Sequence, residues 1–271
     1  MSLIVTYLAS PRTSGWMKWS RLDCLCASIS LLRKFAPPLP LIVFHEDYTE
    51  EDKGKLLAVA PDIRFELVDF STHRNQFVSH RPAERVGSYG YAMMCRFFSG
   101  IMQAHPALTN YSHYMRLDDD SYIVGTVTPA ALARMQSHDY TYNSLFSDPH
   151  PSQVDYTVKF MAERGLKSSA GYQRQSPYTN FHASSLALWR HPVVQQFLPD
   201  QQQGCLEHGW QDASVAAMLV FYLCPALGLT VNFESDFSYR HNIQCVHRGP
   251  HSRYCTDGLG QQYSWGPPVL D

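Results

Sequence analysis

Several features that would place a chain quickly in a functional class are missing from this one. No stretch approaches the roughly 18 consecutive apolar residues of a membrane-spanning helix, and the opening run Leu3-Ile4-Val5-Thr6-Tyr7-Leu8 is too short for a span or a signal-peptide core. There is no GxxxxGK[ST] and no GxGxxG, which argues against the glycine-rich phosphate cradles of Walker and dinucleotide sites. The seven cysteines include no paired CxxC motifs, so zinc-ribbon spacing is absent as well. Basic charge is not in excess either: Lys plus Arg number 22 against 24 Asp plus Glu, for a formal charge of −2, and such a balance argues against a nucleic-acid partner. Internal repeats, low-complexity stretches and clean linkers are lacking, which favours one domain over two in 271 residues.

What is present is a globular, aromatic-rich composition, 45% hydrophobic and 13% aromatic, enough for a sizeable core and unlike a disordered or coiled-coil chain. The compartment stays open. The chain as given would act in the cytosol, or elsewhere if a targeting stem is missing from it. Cys24 and Cys224 lie in apolar helical patterns and read as buried thiols, whereas Cys245 and Cys255 sit in a loop where a bridge would be useful.

The first seventy residues read β-α-β-α-β. Strands are expected at 3–8, 41–44 and 63–67. A helix is expected from Trp19 to Lys34, stopped by Pro37, Pro38 and Pro40, and a second begins at Thr49 as N-cap with Glu50, Glu51 and Asp52 in its first turn. A helix over 91–103 and a strand over 111–117 follow. After Pro129 the pattern gives a helix at 129–136, a strand near 140–145, a helix near 153–164, a strand within 180–189, a helix over 212–223, a strand over 229–233 and an irregular tail.

The strand at 111–117 runs directly into Asp118-Asp119-Asp120. Carboxylates at i and i+2 on an extended segment point the same way, and hard oxygen ligands of this kind suit Mn²⁺ or Mg²⁺ shared with a diphosphate. In open α/β sheets, ligands collect at the carboxyl ends of strands, which favours a site over a solvated acidic turn. A metal so placed would hold a nucleotide-sugar donor and act as a Lewis acid on its leaving phosphate. His241 follows the last expected strand and could add an imidazole ligand. Asp212 opens an apolar helix, either as a cap or as the group that orients an acceptor hydroxyl. Arg96, in the apolar helix Tyr91–Phe98, needs a carboxylate or a donor phosphate as partner.

Four blocks in order resemble the fungal α-1,2-mannosyltransferases of glycosyltransferase family 15, Golgi enzymes that extend protein-linked glycans and cell-wall mannan. They are Ser88-Tyr89-Gly90-Tyr91 through Met94-Cys95-Arg96-Phe97 to His105-Pro106-Ala107-Leu108; Tyr111 through Tyr114-Met115-Arg116-Leu117-Asp118-Asp119-Asp120; Gly209-Trp210-Gln211-Asp212-Ala213; and Tyr239-Arg240-His241. The likeness spans roughly residues 40–255. It implies a GT-A type (Rossmann-like) α/β domain over 1–271, with a mixed, mostly parallel central sheet flanked by helices. Residues 1–125 would form the nucleotide-binding half, and 126–271 the acceptor-binding half and tail.

The resemblance further implies a retaining transfer of mannose from GDP-mannose to a glycan hydroxyl, with Mn²⁺ (or Mg²⁺) as cofactor. By it, Asp118, Asp120 and His241 hold the metal. Tyr91, Arg96 and Arg116 are the candidates beside Asp118 and Asp120 at the donor, Asp212 is expected to face the acceptor, and Asn180 and His182 are expected near the anomeric carbon as catalytic candidates. Two departures stand out. Asp-Asp-Asp replaces a Glu-Pro-Asp motif, and His182 follows Asn180-Phe181 where the family has a Glu proposed as nucleophile. An imidazole is a poor replacement for that carboxylate, so a same-face displacement becomes the better expectation. A non-catalytic nucleotide-sugar or glycan-binding module is the alternative, with a metal-dependent phosphohydrolase behind it.

Overall fold

The opening apolar run forms β1 (Leu3–Ala9), buried along almost its whole length, as expected for a strand covered on both faces. The structure, a computed structural model, describes residues 2–10, 20–79, 88–146, 149–167, 175–241 and the backbone of 244–246. After β1, Ser20 caps α1 (Arg21–Phe35) by accepting from the Asp23 amide. β2 (Leu41–His45) follows the prolines. Thr49 and Asp52 then form a reciprocal capping box on α2 (Glu50–Val59), so the N-cap read from sequence holds. β3 (Ile63–Leu67) lies at the edge of the sheet, with Leu67 exposed.

The expected helix over 91–103 is shorter and broken. α3 (Tyr89–Arg96) passes into a wide turn over Phe97–Ile101, where Ser99 and Gly100 leave helical geometry and Gly100 has φ of 113°. A Cβ at Gly100 would also lie 2.7 Å from Leu198 Cδ1, so this position needs glycine for both conformation and close approach. β4 (His113–Leu117) and β5 (Ser121–Ile123) come next. The chain continues through α4 (Pro129–Ser137), β6 (Tyr140–Tyr142), β7 (Leu145–Phe146), α5 (Pro151–Glu163), β8 (Ser176–Pro177) and β9 (Phe181–Ser185).

Two helices were not anticipated, α6 (Leu186–Arg190) and the long α7 (Pro192–Glu207). Pro192 sits in the first turn of α7, where its missing N–H costs nothing, but Pro199 inside the helix is a breaker that tertiary packing overrides. α8 (Asp212–Ala217) continues as a wide turn into α9 (Cys224–Leu227), which ends at left-handed Gly228. β10 (Val231–Phe233), β11 (Tyr239–His241) and β12 (Gln244–Val246) complete the described chain. The tail therefore begins with strands rather than irregular structure. The bridge expected between Cys245 and Cys255 lies outside the described side chains, while Cys24 and Cys224 are buried free thiols.

The main sheet has the order β10-β6-β9-β4-β1-β2-β3. Pairing is parallel throughout except on the two sides of β9, which runs against its neighbours. The carboxyl ends of the other strands and the amino end of β9 consequently share one edge. Strand alternation divides the core in two. Ile4, Ile42, Phe44 and Tyr114 pack on the face covered by α3, α5, α7 and α8, whereas Leu3, Val5, Val43 and Met115 pack on the face covered by α1, α2 and α4. This is the mixed, mostly parallel, helix-flanked sheet that the sequence implied.

Candidate active site

Between β4 and β5 the Asp118-Asp119-Asp120 turn closes with the Ser121 amide donating to the Asp118 carbonyl at 3.0 Å. β5 then pairs antiparallel with β11, placing His241 opposite Ser121. The ribbon returns His241 to the turn: its Nε2 is 3.0 Å from Asp120 Oδ1, and ligand-type atoms of Asp118, Asp120 and His241 all lie within 4.8 Å of one another. The i, i+2 spacing thus aims both carboxylates at one point, as expected. Burial disfavours the His241 imidazolium, but Asp120 and then Asp118 outweigh it and raise the His241 pKa above its ordinary value.

Two further groups join this cluster. Asn180, just before β9, donates through Nδ2 to Asp118 Oδ2 at 2.6 Å, and the same nitrogen is 3.1 Å from His241 Nε2. Tyr178 Oη lies 2.7 Å from His241 Nδ1, leaving Nε2 turned toward the carboxylates. The sequence expectation put Asn180 near the anomeric carbon; the structure places it against Asp118 and His241. Tyr178 was missed, and nothing in its sequence context marks it.

Asp119 points elsewhere. It accepts a bidentate contact from Arg21 at the start of α1, Nε to Oδ2 at 2.6 Å, while only 1% exposed. Burial, with Asp120 and Asp118 adding to it, pushes Asp119 up to about 6 against the pull of Arg21. Asp119 and Arg21 wall a cavity of about 250 Å³ together with residues 8–10 at the end of β1, Glu46 after β2, and Tyr91 and Met94 of α3. Tyr91, expected at the donor, lines this cavity. Arg21, Glu46 and residues 8–10 were missed, although the strand-end rule that singled out the aspartates applies equally to β1 and β2.

Other expectations need correction. Arg116 does not face a ligand: it is buried within β4, donates to Asp118 Oδ1 from Nε at 3.1 Å and from Nη2 at 2.9 Å, and gives Nη1 to Asp212. The Phe98 ring lies 3.4 Å beneath its guanidinium. Asp212 is likewise enclosed rather than at the mouth of a cleft. It accepts from Thr179 Oγ1 at 2.9 Å and from Cys95 Sγ at 3.4 Å. Burial raises its pKa most, but Arg116, with the Thr179 and Cys95 hydrogen bonds, outweighs it and holds the pKa below its ordinary value.

His182 is buried too. Its ring stacks on Tyr140 at 5.1 Å, with Nε2 3.0 Å from Tyr114 Oη and Nδ1 3.3 Å from the Thr179 carbonyl. Burial, helped by Arg116, drops its pKa to about 3, so it is a buried, neutral imidazole enclosed by Tyr140, Tyr114 and Thr179. Arg96 is half-buried, is not among the residues lining that cavity and makes no ion pair among the described residues, so the carboxylate partner expected for it is not found there.

Residues 66–266 match the sequence profile of a family described as glycolipid 2-alpha-mannosyltransferase. The glycolipid 2-alpha-mannosyltransferase of Saccharomyces cerevisiae is 23% identical over 239 residues, which is 75% of this chain and 53% of that protein. Glycolipid 2-alpha-mannosyltransferase 2 of Candida albicans is 24% identical over 189 residues, 62% of this chain and 40% of that protein. The chain thus spans about half the length of the curated relatives it matches. Among solved structures, core-mannan synthase A from Aspergillus fumigatus, in its Mn/GDP form, superposes with a TM-score of 0.75 at 19% identity, covering 98% of this chain and 81% of that one. The S. cerevisiae mannosyltransferase Ktr4p in complex with GDP gives 0.75 at 17% identity, covering 98% and 77%. A galactosyltransferase, LgtC, gives 0.51 at 14% identity over 86% and 73%. The fold is the GT-A glycosyltransferase fold. With the matching profile running from β3 through the aspartate turn and the Trp210–Ala213 block to the strand carrying His241, this chain belongs to the glycolipid 2-alpha-mannosyltransferase family.

Proposed function

We propose that this chain catalyses the metal-dependent, retaining transfer of mannose from GDP-mannose to a hydroxyl of a mannose-containing glycan. The observation that carries this reading is the convergence of Asp118, Asp120 and His241 on the sheet edge that also bears the cavity. The residues fit Mn²⁺: two carboxylates and an imidazole form a mixed oxygen and nitrogen donor set, and the cluster draws the partly positive amide hydrogens of Asn180 toward the same point. Asp118, Asp120 and His241 would hold Mn²⁺ there, and it would supply Lewis-acid stabilisation of charge on the leaving phosphate. The Aspergillus structure, with Mn and GDP, and the yeast structure, with GDP, support the same ligands here.

In this reading the half formed by residues 1–125 takes the nucleotide, with Tyr91 against the base or ribose, and residues 126–271 take the acceptor. Arg116 acts through Asp118 rather than on the donor, and Asp212 fixes Arg116. His182 and Asp212 are both enclosed, so neither offers a nucleophile to the cleft, which supports a same-face displacement. The bond from mannose C1 to the phosphate oxygen breaks with its electron pair on the phosphate. The acceptor oxygen bonds to C1 from that side, and its proton passes to the departing phosphate. A Golgi-lumenal setting, which the family resemblance implies, belongs to this reading. No described helix is long and apolar enough to cross a membrane.

Melting curves with GDP, UDP, GDP-mannose and UDP-sugars, each with Mn²⁺ or EDTA, test the donor site. A ligand at about a hundred times its dissociation constant stabilises by about 2.7 kcal/mol. The expected result is a Mn²⁺-dependent shift with GDP, followed by mannosyl transfer to α-mannobiose that Asp118→Ala abolishes. No shift with any nucleotide, or transfer that survives Asp118→Ala, overturns the proposal. Nucleotide binding without transfer or donor hydrolysis leaves a binding module.

A further inference from the structure

Beside the aspartate cluster, the β7–β8 ribbon carries an aromatic pair. Leu145 pairs with Pro177 and Phe146 with Ser176, and Tyr178 follows directly. The Phe146 and Tyr178 rings are 5.1 Å apart with their planes at 41°. Tyr178 is half-buried with its hydroxyl on His241, whereas Phe146 is 42% exposed. Exposed apolar side chains scattered singly need no explanation. Leu57, Leu67 and Val158 are such residues, on α2, β3 and α5. Phe146 differs because its ring contact leads through Tyr178 to a residue of the aspartate–histidine cluster.

Position along the sheet edge adds direction. The cavity lies at the ends of β1 and β2, the cluster at the end of β4 and the start of β9, and the aromatic pair beyond β9, just after β6. A donor with its base in the cavity and its diphosphate at the cluster carries its sugar toward β9 and β6. On that side Phe146 is an exposed aromatic among the described residues, linked to the cluster through Tyr178 and His241. One face of a pyranose is a patch of C–H groups with partial positive charge, which packs on the negative face of an aromatic ring while the hydroxyls stay hydrated.

We propose that Phe146, backed by Tyr178, is the platform on which the acceptor pyranose stacks. The proposal rests on the donor orientation given under the proposed function. Tyr178 then has two tasks, holding His241 through its hydroxyl and supporting the platform through its ring.

The test is ligand-observed NMR titration of methyl α-mannoside, methyl α-glucoside and methyl α-galactoside into the whole chain, with and without Mn²⁺ and GDP. Phe146→Ala and Phe146→Trp are the variants. Saturable binding of at least one glycoside by the wild type is expected, weakened about fivefold to tenfold by Phe146→Ala and held within about threefold by Phe146→Trp. Mn²⁺-dependent GDP binding, measured on the same samples, should be equal in all three proteins and shows that the exposed substitution leaves the fold intact. Unchanged glycoside affinity in Phe146→Ala overturns the platform, and so does a wild type that binds none of the glycosides. Because glycosides are read directly, failure of GDP binding counts against the donor site alone.

Discussion

Arg116 and Asp212 meet in the core, two residues that sequence reading had placed at separate ligand surfaces. The guanidinium spans Asp212 on one side and Asp118 on the other, so one buried cation ties the start of α8 to the cluster at the end of β4. Breaking a buried pair by removing one partner leaves an uncompensated charge, at a cost of about 3–5 kcal/mol. Arg116→Met should therefore lower unfolding stability by about that amount in urea titrations. In the Arg116→Met/Asp212→Leu double variant the losses should be less than additive. Strict additivity would mean that the two side chains act independently.

Asp118, Asp120 and His241 should fail together in metal binding. Asp118→Asn, Asp120→Asn and His241→Gln are each expected to weaken Mn²⁺ about tenfold to a hundredfold in titrations followed by the Mn²⁺ EPR signal, while melting in EDTA changes little for Asp120→Asn and His241→Gln and falls for Asp118→Asn, which also loses a charge partner of Arg116. Tyr178→Phe keeps the ring beneath Phe146 but releases His241 Nδ1. Loss of an orienting partner outside the ligand shell typically costs about 10–100-fold in metal affinity, so this variant should fall in the lower part of that range. Unchanged Mn²⁺ affinity in all four variants would remove the cluster from the metal site.

His182 should shape the acid limb of the stability curve. Its folded pKa of about 3 lies below the ordinary histidine value of about 6.5, so between these pH values the unfolded chain binds a proton that the native protein refuses. The stability that depends on neutral His182 is complete above about pH 6.5 and is lost as pH falls below it. For this one group the loss reaches about 2 kcal/mol at pH 5. Urea unfolding at pH 7 and pH 5 should show His182→Gln losing about 2 kcal/mol less than the wild type over that interval. Equal losses would place His182 in contact with solvent.

Legibility in the sequence followed the physics of each element. Buried parallel strands read as continuous apolar runs, and Thr49 with Asp52 announced its own cap, so β1 to β3 and α2 were recoverable. The aspartate turn was found because three carboxylates end an apolar strand, whereas His241, one of thirteen histidines, was singled out by the family resemblance. The errors came where the partner is remote in sequence. Arg116, Asp212 and His182 carry functional groups, yet their partners lie 96 residues away for Arg116 with Asp212 and 68 for His182 with Tyr114, and no local pattern encodes those contacts. α7 was missed for the opposite reason: Pro192 and Pro199 are local stop signals that packing overrules.

Gly204 offers the clearest case of such packing. It lies in α7 with the indole of Trp210 seated on it, so that a Cβ there would fall 2.0 Å from Trp210 Cε3. Trp210 is 5% exposed, donates from Nε1 to Ser152 Oγ at 2.9 Å and stands two residues before Asp212. Overpacking at one carbon typically costs about 1–3 kcal/mol, and here the ring that must yield is large and enclosed. Gly204→Ala should therefore destabilise by about 2–3 kcal/mol and, by pushing Trp210 and with it the start of α8, disturb the Asp212–Arg116 contact. Restoring space with Gly204→Ala/Trp210→Leu should recover part of the stability. A Gly204→Ala protein that melts with the wild type would show that the indole is free to move aside, and would separate α7 from the positioning of Asp212.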